Sequence, residues 1–443
     1  MSASCKSRPL GPHETYGTVQ SILGLYSNVI VSATLYKPTN RQGALYAAKI
    51  LLEKEPLLGV SISGQEGTFK MTKLREAKLN NYVDDSLNSK LLEDVVTDLH
   101  YVRLDLSKQQ WKLLLLNNGK EIVFLFDHAL LDGMSGLFVI ETVVKALQEY
   151  SSHDLVSLTT IPNPSTPLPL PVEQQLVASP PFTLLLKELF KEYLFSEKVS
   201  TLPLQKHDWK GYHSIIDFTP FQSRAFYNMC KKYGFSVGAG LYALLVSSSS
   251  GVLHRKYPDA VSGPVRGLVP LNGRNFTPKL DPKRLGVVVG EICISTVVPK
   301  PEEVIGRVPS RAFVKIAHQF KSKITRDTQQ TTFSGYPFMQ PVGLIPWVRS
   351  LQEYFKKHTN NHQRSSMFAM SNLTCSDVPC EQLRFTQCTG GISPFIQYSV
   401  VGLKDKGISV GLGVSEDKEV LDEVNKSMRW FIQECENSFG KEV

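Results

Sequence analysis

The 443-residue sequence lacks most features that mark specialised chains. Its opening, Met1–Leu10, holds no apolar core, so no secretory signal is expected. No apolar run is clean enough for a bilayer span. The longest uncharged helical stretch, Val237–Leu253, is broken by glycines and by Ser247–Ser250, and it is expected as a buried helix with no transmembrane segment. Cysteine is sparse and odd in number: Cys5, Cys230, Cys293, Cys375, Cys380, Cys388 and Cys435. Without a leader, these are expected as reduced thiols of a cytoplasmic protein. The Cys375/Cys380 spacing fits no zinc knuckle, so no metal is expected. No internal repeat is apparent. A nucleophile elbow is missing, because Gly133-Met-Ser135-Gly136 and Gly391-Ile-Ser393-Pro394 both depart from G-x-S-x-G. P-loop and H-E-x-x-H motifs are absent, and Gly411-Leu-Gly413 lacks the third glycine of a dinucleotide loop. Basic clusters interleaved with aromatics are also missing, so no nucleic-acid partner is expected.

What remains is an ordinary folded composition, 42% hydrophobic and 20% charged, in a chain longer than one core usually organises. Pro162, Pro164, Pro167, Pro169, Pro171, Pro180 and Pro181 mark 151–181 as an extended crossover linker between a lobe over 1–150 and a lobe over 182–443. In the first lobe, strands are expected at Val29–Tyr36, Trp111–Leu116 and Ile122–Phe126, the last two joined by the turn Asn117-Asn118-Gly119. Helices are expected at Ala44–Glu55 and Gly136–Tyr150. In the second lobe, the pattern predicts helices at 182–198, 221–233, 237–256, 310–326, 345–357 and 417–437. It predicts strands at 212–218, 265–271, 286–296, 367–373, 394–401 and 408–414. The fold class is therefore α/β (α+β), with a mixed sheet in each lobe. The formal charge of +8 is uneven. Residues 201–364 carry 23 Lys+Arg against 9 Asp+Glu, a net of +14, and the remainder carries −6.

The chemistry concentrates in Asp127-His128-Ala-Leu-Leu-Asp132-Gly133-Met-Ser-Gly136, which follows the all-apolar Ile122–Phe126 run and opens a helix. A histidine there sits on a rigid element facing a crevice, and histidine is suited to take a proton near neutral pH. Asp132 can cap or brace the turn, and Gly133 is expected to supply backbone angles closed to other residues. The bland alternative is a satisfied core histidine beside an ordinary helix cap.

This segment resembles the H-x-x-x-D-G signature of the chloramphenicol-acetyltransferase-like superfamily, which includes BAHD acyltransferases, condensation domains and fungal alcohol O-acetyltransferases. Leu23–Val31 resembles the opening of the fungal alcohol acetyltransferase branch. Val265–Arg274 followed by Leu285–Gly290 is similar to the superfamily's VP-x-N-x-R … G-x-x-x-G stretch. The D-F-G-W-G box of plant BAHD enzymes is absent. The resemblance implies two lobes flanking a tunnel, with acetyl-CoA as co-substrate and a small-molecule alcohol or amine acceptor. It implies His128 as general base in direct attack, without an acyl-enzyme. It also implies Asp132 paired with an arginine, for which Arg274 is the best match and Arg266 the second. Ser371 and Asn372 are candidates for the oxyanion or tunnel wall, or else a polar strand end. Lys279, Lys283 and Arg284 are candidates for the cofactor phosphates, with Lys321, Lys323, Arg326, Lys356 and Lys357 further along. A monomeric acetyl-CoA-dependent O-acyltransferase is expected. The alternatives are an N-acetyltransferase acting on an amino lipid or amino alcohol, and an inactive two-lobed binding protein.

Overall fold

A computed structural model describes residues 6–26, 28–151, 160–175, 202, 210–277, 280–331, 350–360, 364, 366–391 and 393–440. The expected helix at 182–198, the first residues of that at 345–357, Pro180, Pro181 and Lys279 lie outside them. The strands that carry the argument are β1 (Asn28–Thr34), β2 (Val83–Asp84), β3 (Trp111–Leu116), β4 (Glu121–Asp127), β5 (Gly211–Asp217), β6 (Val265–Asn272), β7 (Val289–Thr296), β8 (Phe368–Ser376), β9 (Gln382–Gln387), β10 (Ile396–Leu403) and β11 (Gly407–Ser415). The main helices are α1 (Pro12–Leu23), α2 (Arg41–Lys54), α3 (Leu92–Tyr101), α4 (Gly133–Glu149), α5 (Pro220–Lys232), α6 (Val237–Lys256), α7 (Arg311–Thr331), α8 (Leu351–Asn360) and α9 (Lys418–Phe439).

Two mixed sheets form two lobes. The first has strand order β9–β1–β4–β3–β2, and the second has β5–β11–β10–β8–β6–β7. In β4 the side chains alternate between two cores. Ile122, Phe124 and Phe126 pack with α2 and α4, while Val123 and Leu125 pack with Leu92, Val96 and Leu99 of α3 and Ile215 of β5. Coverage on both faces explains the uninterrupted apolar run. The turn after β3 works through left-handed backbone at Asn117, Asn118 and Gly119, with φ of 50°, 53° and 77°.

Strand β9 is a finding that the sequence pattern does not anticipate. It comes from the 182–443 portion, yet it pairs antiparallel with β1 from Gln382↔Thr34 to Gln387↔Val29. A division of the chain at 151–181 therefore does not divide the sheets. The strand is fastened to both lobes by Arg384, whose Nη1 donates to Glu121 Oε2 at 2.9 Å and whose Nη2 donates to Asp217 Oδ2 at 2.9 Å. Its backbone lies so close to β11 that a Cβ on Gly411 would stand 2.3 Å from the Phe385 carbonyl oxygen. The Gly411-Leu-Gly413 pattern thus serves close approach of two strands. Gly411→Ala is expected to destabilise the protein by about 1–3 kcal/mol, measured as a lowered midpoint in chemical denaturation. A midpoint equal to wild type would contradict that close approach.

The proline-rich linker is laid along the first lobe. Residues 160–162 pair with Glu76–Lys78, Arg8 Nε donates to the Pro169 carbonyl at 2.6 Å, and His13 Nδ1 lies 2.9 Å from Glu173 Oε1. Helix α6, expected as a buried helix, has 20 residues. Among the described residues it is the one helix long and apolar enough to cross a membrane by length and composition. Every residue from Ala239 to Ser250 is buried, inside the second-lobe core.

Candidate active site

The doubly covered strand β4 ends at Asp127, and the chain turns through His128–Leu131 into α4. Asp127 holds this turn. Its carboxylate accepts from Ser21 Oγ at 2.5 Å and from the Ala129 backbone N–H at 2.8 Å, and burial pushes its pKa up to about 6. Helix α1 presses on the turn from outside. A Cβ on Gly17 would lie 3.0 Å from Ala129 Cα and 3.2 Å from the His128 carbonyl oxygen.

From Glu121 to Asp132 every residue is buried except His128, which keeps part of its surface open. Its ring centre lies 5.4 Å from that of Tyr26. Burial lowers the His128 pKa below its ordinary value, and the backbone carbonyls of His128 and Leu131 and the nearby Asp132 only partly offset this. The side chain is thus an accessible, neutral imidazole on a rigid support. The Tyr26 hydroxyl donates to Gln387 Oε1 at 3.4 Å, and Gln387 Nε2 donates to Ser399 Oγ at 3.2 Å. A polar chain therefore runs from Tyr26, beside the histidine, through β9 into the second sheet. Tyr26, Gln387 and Ser399 carry no sequence signal of this role, because they meet only through the crossing of β9.

Asp132 is buried among hydrogen-bond donors. It caps α4 through Oδ1, which accepts from Ser135 N and Ser135 Oγ, each at 2.8 Å. Arg274 donates from Nη1 to Oδ2 at 2.8 Å and from Nη2 to Oδ1 at 3.2 Å. The Val288 backbone N–H adds a bond to Oδ2 at 2.8 Å. Burial alone would push this carboxyl up, but the Arg274 guanidinium and these donors hold it below its ordinary value. Arg274 is itself satisfied by the carbonyls of Arg284 and Gly286 and by Ser135 Oγ. Arg266 sits elsewhere, on β6 opposite Ser295.

Gly133 needs correction. Its φ is not in the left-handed region, since it opens α4 as an ordinary helical residue. What demands glycine is space: a Cβ would stand 2.8 Å from Leu373 Cδ2 and 3.2 Å from Phe385 Cζ. Gly136 is equally tight, 2.6 Å from Phe126 Cε1.

Ser371 and Asn372 lie on opposite faces of β8. Phe368 and Met370 face the helix-covered core, so Asn372 shares that side, with its amide nitrogen near Gly238 and its oxygen accepting from Thr374 N. Ser371 lies with Leu373 on the opposite face, paired in register with Ser399, on the side turned to the first lobe.

Of the cofactor candidates, Lys283 is exposed. Arg284 is engaged by the linker, donating to the Leu170 carbonyl and to Gln175 Oε1. Lys321 donates to the Gly234 carbonyl, and Lys323 and Arg326 both lie against Asp327. Lys321, Lys323 and Arg326 are thus engaged within their own lobe.

Comparison with known proteins agrees with this architecture. The family model for alcohol acetyltransferase matches residues 68–434. The chain is 24% identical to an uncharacterized protein of Schizosaccharomyces pombe (strain 972 / ATCC 24843), over 94% of each chain. Its fold is similar to that of a trichothecene 15-O-acetyltransferase from Fusarium sporotrichioides, with a TM-score of 0.74 at 11% identity over 97% of this chain and 96% of that one. It is also similar to a wax ester synthase/diacylglycerol acyltransferase from Marinobacter aquaeolei VT8, with a TM-score of 0.57 at 14% identity over 98% of this chain and 100% of that one. With its two-lobed acyltransferase fold and a family match over most of its length, the chain belongs to the alcohol acetyltransferase family.

Proposed function

We propose that this acyltransferase moves the acetyl group of acetyl-CoA to a hydroxyl of a small-molecule alcohol, with His128 as general base. The observation that carries the reading is the placement of His128, the one side chain with open surface in an otherwise buried strand and turn. A neutral imidazole takes the proton as the acceptor oxygen attacks the thioester carbonyl. The tetrahedral intermediate collapses to ester and CoA thiolate, and the imidazolium returns the proton to the sulfur. Asp132 and Arg274 shape the turn and touch no reacting atom. Ser371, on the inward face, is the remaining candidate for a donor to the developing oxyanion.

Purified protein given acetyl-CoA and alcohol acceptors should release the CoA thiol and yield an ester by mass spectrometry. An amide product would move the activity to N-acetylation, and acyl-CoA binding without thiol release would mark a binding protein. The pH profile follows from the lowered His128 pKa. Protonation removes the base, so kcat/KM should fall on the acid side with a limb below pH 6.5, the ordinary histidine value. A limb above 6.5 would contradict the buried, neutral imidazole.

A further inference from the structure

The imidazole of His128 is lightly restrained. Among the described residues no side chain hydrogen-bonds it, and the backbone groups that act on it are its own carbonyl and that of Leu131. The two carboxylates of the turn are committed elsewhere, Asp127 to Ser21 and Ala129, Asp132 to Ser135, Arg274 and Val288. A general base needs its ring held in one orientation, and the imidazolium formed in the reaction needs a group that favours it. No carboxylate among the described residues is hydrogen-bonded to His128 for either task.

Tyr26 stands where such a group is wanted. Its ring centre lies 5.4 Å from that of His128, with the planes tilted by 52°, inside the range in which aromatic rings attract each other. Once protonated, the imidazole is a cation within about 6 Å of the centre of the phenol ring, close enough for the ring's π-electrons to favour it. Both side chains keep part of their surface open, so the pair borders the opening. The tyrosine is itself fixed. Before it, the Leu25 N–H donates to the Gln20 carbonyl at 2.9 Å, and the Leu25 carbonyl oxygen would lie 3.0 Å from a Cβ on Gly391. After it, Asn28 Nδ2 donates to the carbonyls of Leu99 at 3.0 Å and Val102 at 2.6 Å. At the far end of the ring the hydroxyl is kept protonated by burial and donates to Gln387 on β9.

We propose that Tyr26 is a positioning residue for the base. Its ring sets the orientation of the His128 imidazole and steadies the imidazolium that forms when the acceptor's proton is taken, the task a carboxylate performs in a Ser–His–Asp triad. Charge also reaches His128 from Asp132 at the end of its turn and from His13 on α1, and both groups stay in place when the ring at position 26 is changed. The inference rests on the acyltransferase reading above and adds a residue to its machinery.

The test uses two variants of the full chain. Tyr26→Phe keeps the ring and removes the bond to Gln387, while Tyr26→Met keeps the bulk and removes the ring. With acetyl-CoA and an alcohol acceptor, Tyr26→Met should lower kcat about three- to ten-fold at unchanged KM, the range of one aromatic pair. Tyr26→Phe should keep about half of the wild-type kcat or more, since the lost hydrogen bond is long and weak. A second readout does not need turnover: the NMR titration of the His128 imidazole, assigned by its loss in His128→Ala. Without the ring the imidazolium is less favoured, so His128 should titrate about 0.5–1 pH unit lower in Tyr26→Met and close to wild type in Tyr26→Phe. A merely structural role would not shift the titration in this pattern. Wild-type kcat and titration in Tyr26→Met would overturn the assignment. So would a loss of ten-fold or more in Tyr26→Phe, which would put the function in the hydroxyl and can be read even if Tyr26→Met does not fold. Absence of transfer to any acceptor by wild type would overturn the acyltransferase reading, while the titration would still decide whether the ring acts on His128.

Discussion

Replacing His128 by alanine is expected to lower kcat about 10²–10⁴-fold, the usual range for a lost general base, while the folded state survives. The expectation for folding comes from what holds the turn. Asp127 fixes its start through Ser21 and Ala129, and Asp132 fixes its end through Ser135, Arg274 and Val288. The imidazole belongs to neither set, and part of its surface is already open. Removing it deletes a proton acceptor and leaves both anchors in place. Thiol release from acetyl-CoA and a thermal melt, measured on the same preparation, separate the two effects. A variant that melts like wild type and turns over at the wild-type rate would remove His128 from the mechanism.

The part of this site that is contiguous in sequence is legible there. Five apolar residues in a row, followed by histidine, aspartate and glycine at short spacing, specify a doubly covered strand, a turn and a capped helix. What sequence hides is what the crossing of β9 creates. Gln382–Gln387 mixes Arg384 and Gln387 with apolar residues, and no local pattern announces a strand. Its polar groups are satisfied by Glu121 and Asp217, far away along the chain. Helix α3 is similar, because the apolar side that covers β4 is visible only once β4 needs a second cover. Gly133 was open to misreading for the same reason: the atoms that exclude its Cβ belong to Leu373 and Phe385. The separation of Ser371 from Asn372, by contrast, was available from strand alternation alone, since neighbours in a strand point to opposite faces.

Arg274→Ala is expected to cost about 3–5 kcal/mol of stability, the usual effect of removing one partner from a buried ion pair. Both side chains are almost inaccessible, at 1% for Arg274 and 5% for Asp132, so the abandoned carboxylate would have no solvent to turn to. Losing Arg274 also leaves the carbonyl of Arg284 short of a donor, which loosens the loop that presents Val288 to Asp132. Activity should fall with stability, because Asp132 anchors the turn that carries His128. Asp132→Asn should also destabilise. The shape is kept and the amide oxygen can still take the Ser135 bonds, but the amide nitrogen, a donor, then faces Arg274 Nη1 and the Val288 N–H, and the guanidinium loses its counter-charge. A double-mutant cycle with Arg274→Ala and Asp132→Ala should show a coupling of at least about 1–3 kcal/mol, the range for residues sharing one network. Additive effects would deny the pair its structural role. Acid sensitivity carries the same information. Because the folded-state pKa of Asp132 is held below its ordinary value of 3.8, its contribution is fully present above that pH and is lost as the pH falls through the lower folded value. The wild-type enzyme should therefore lose stability in strong acid by more than Arg274→Ala does, since in the variant the carboxylate has no guanidinium to favour its charged form. A variant whose acid limb matched that of wild type would place the origin of the acid sensitivity outside this pair.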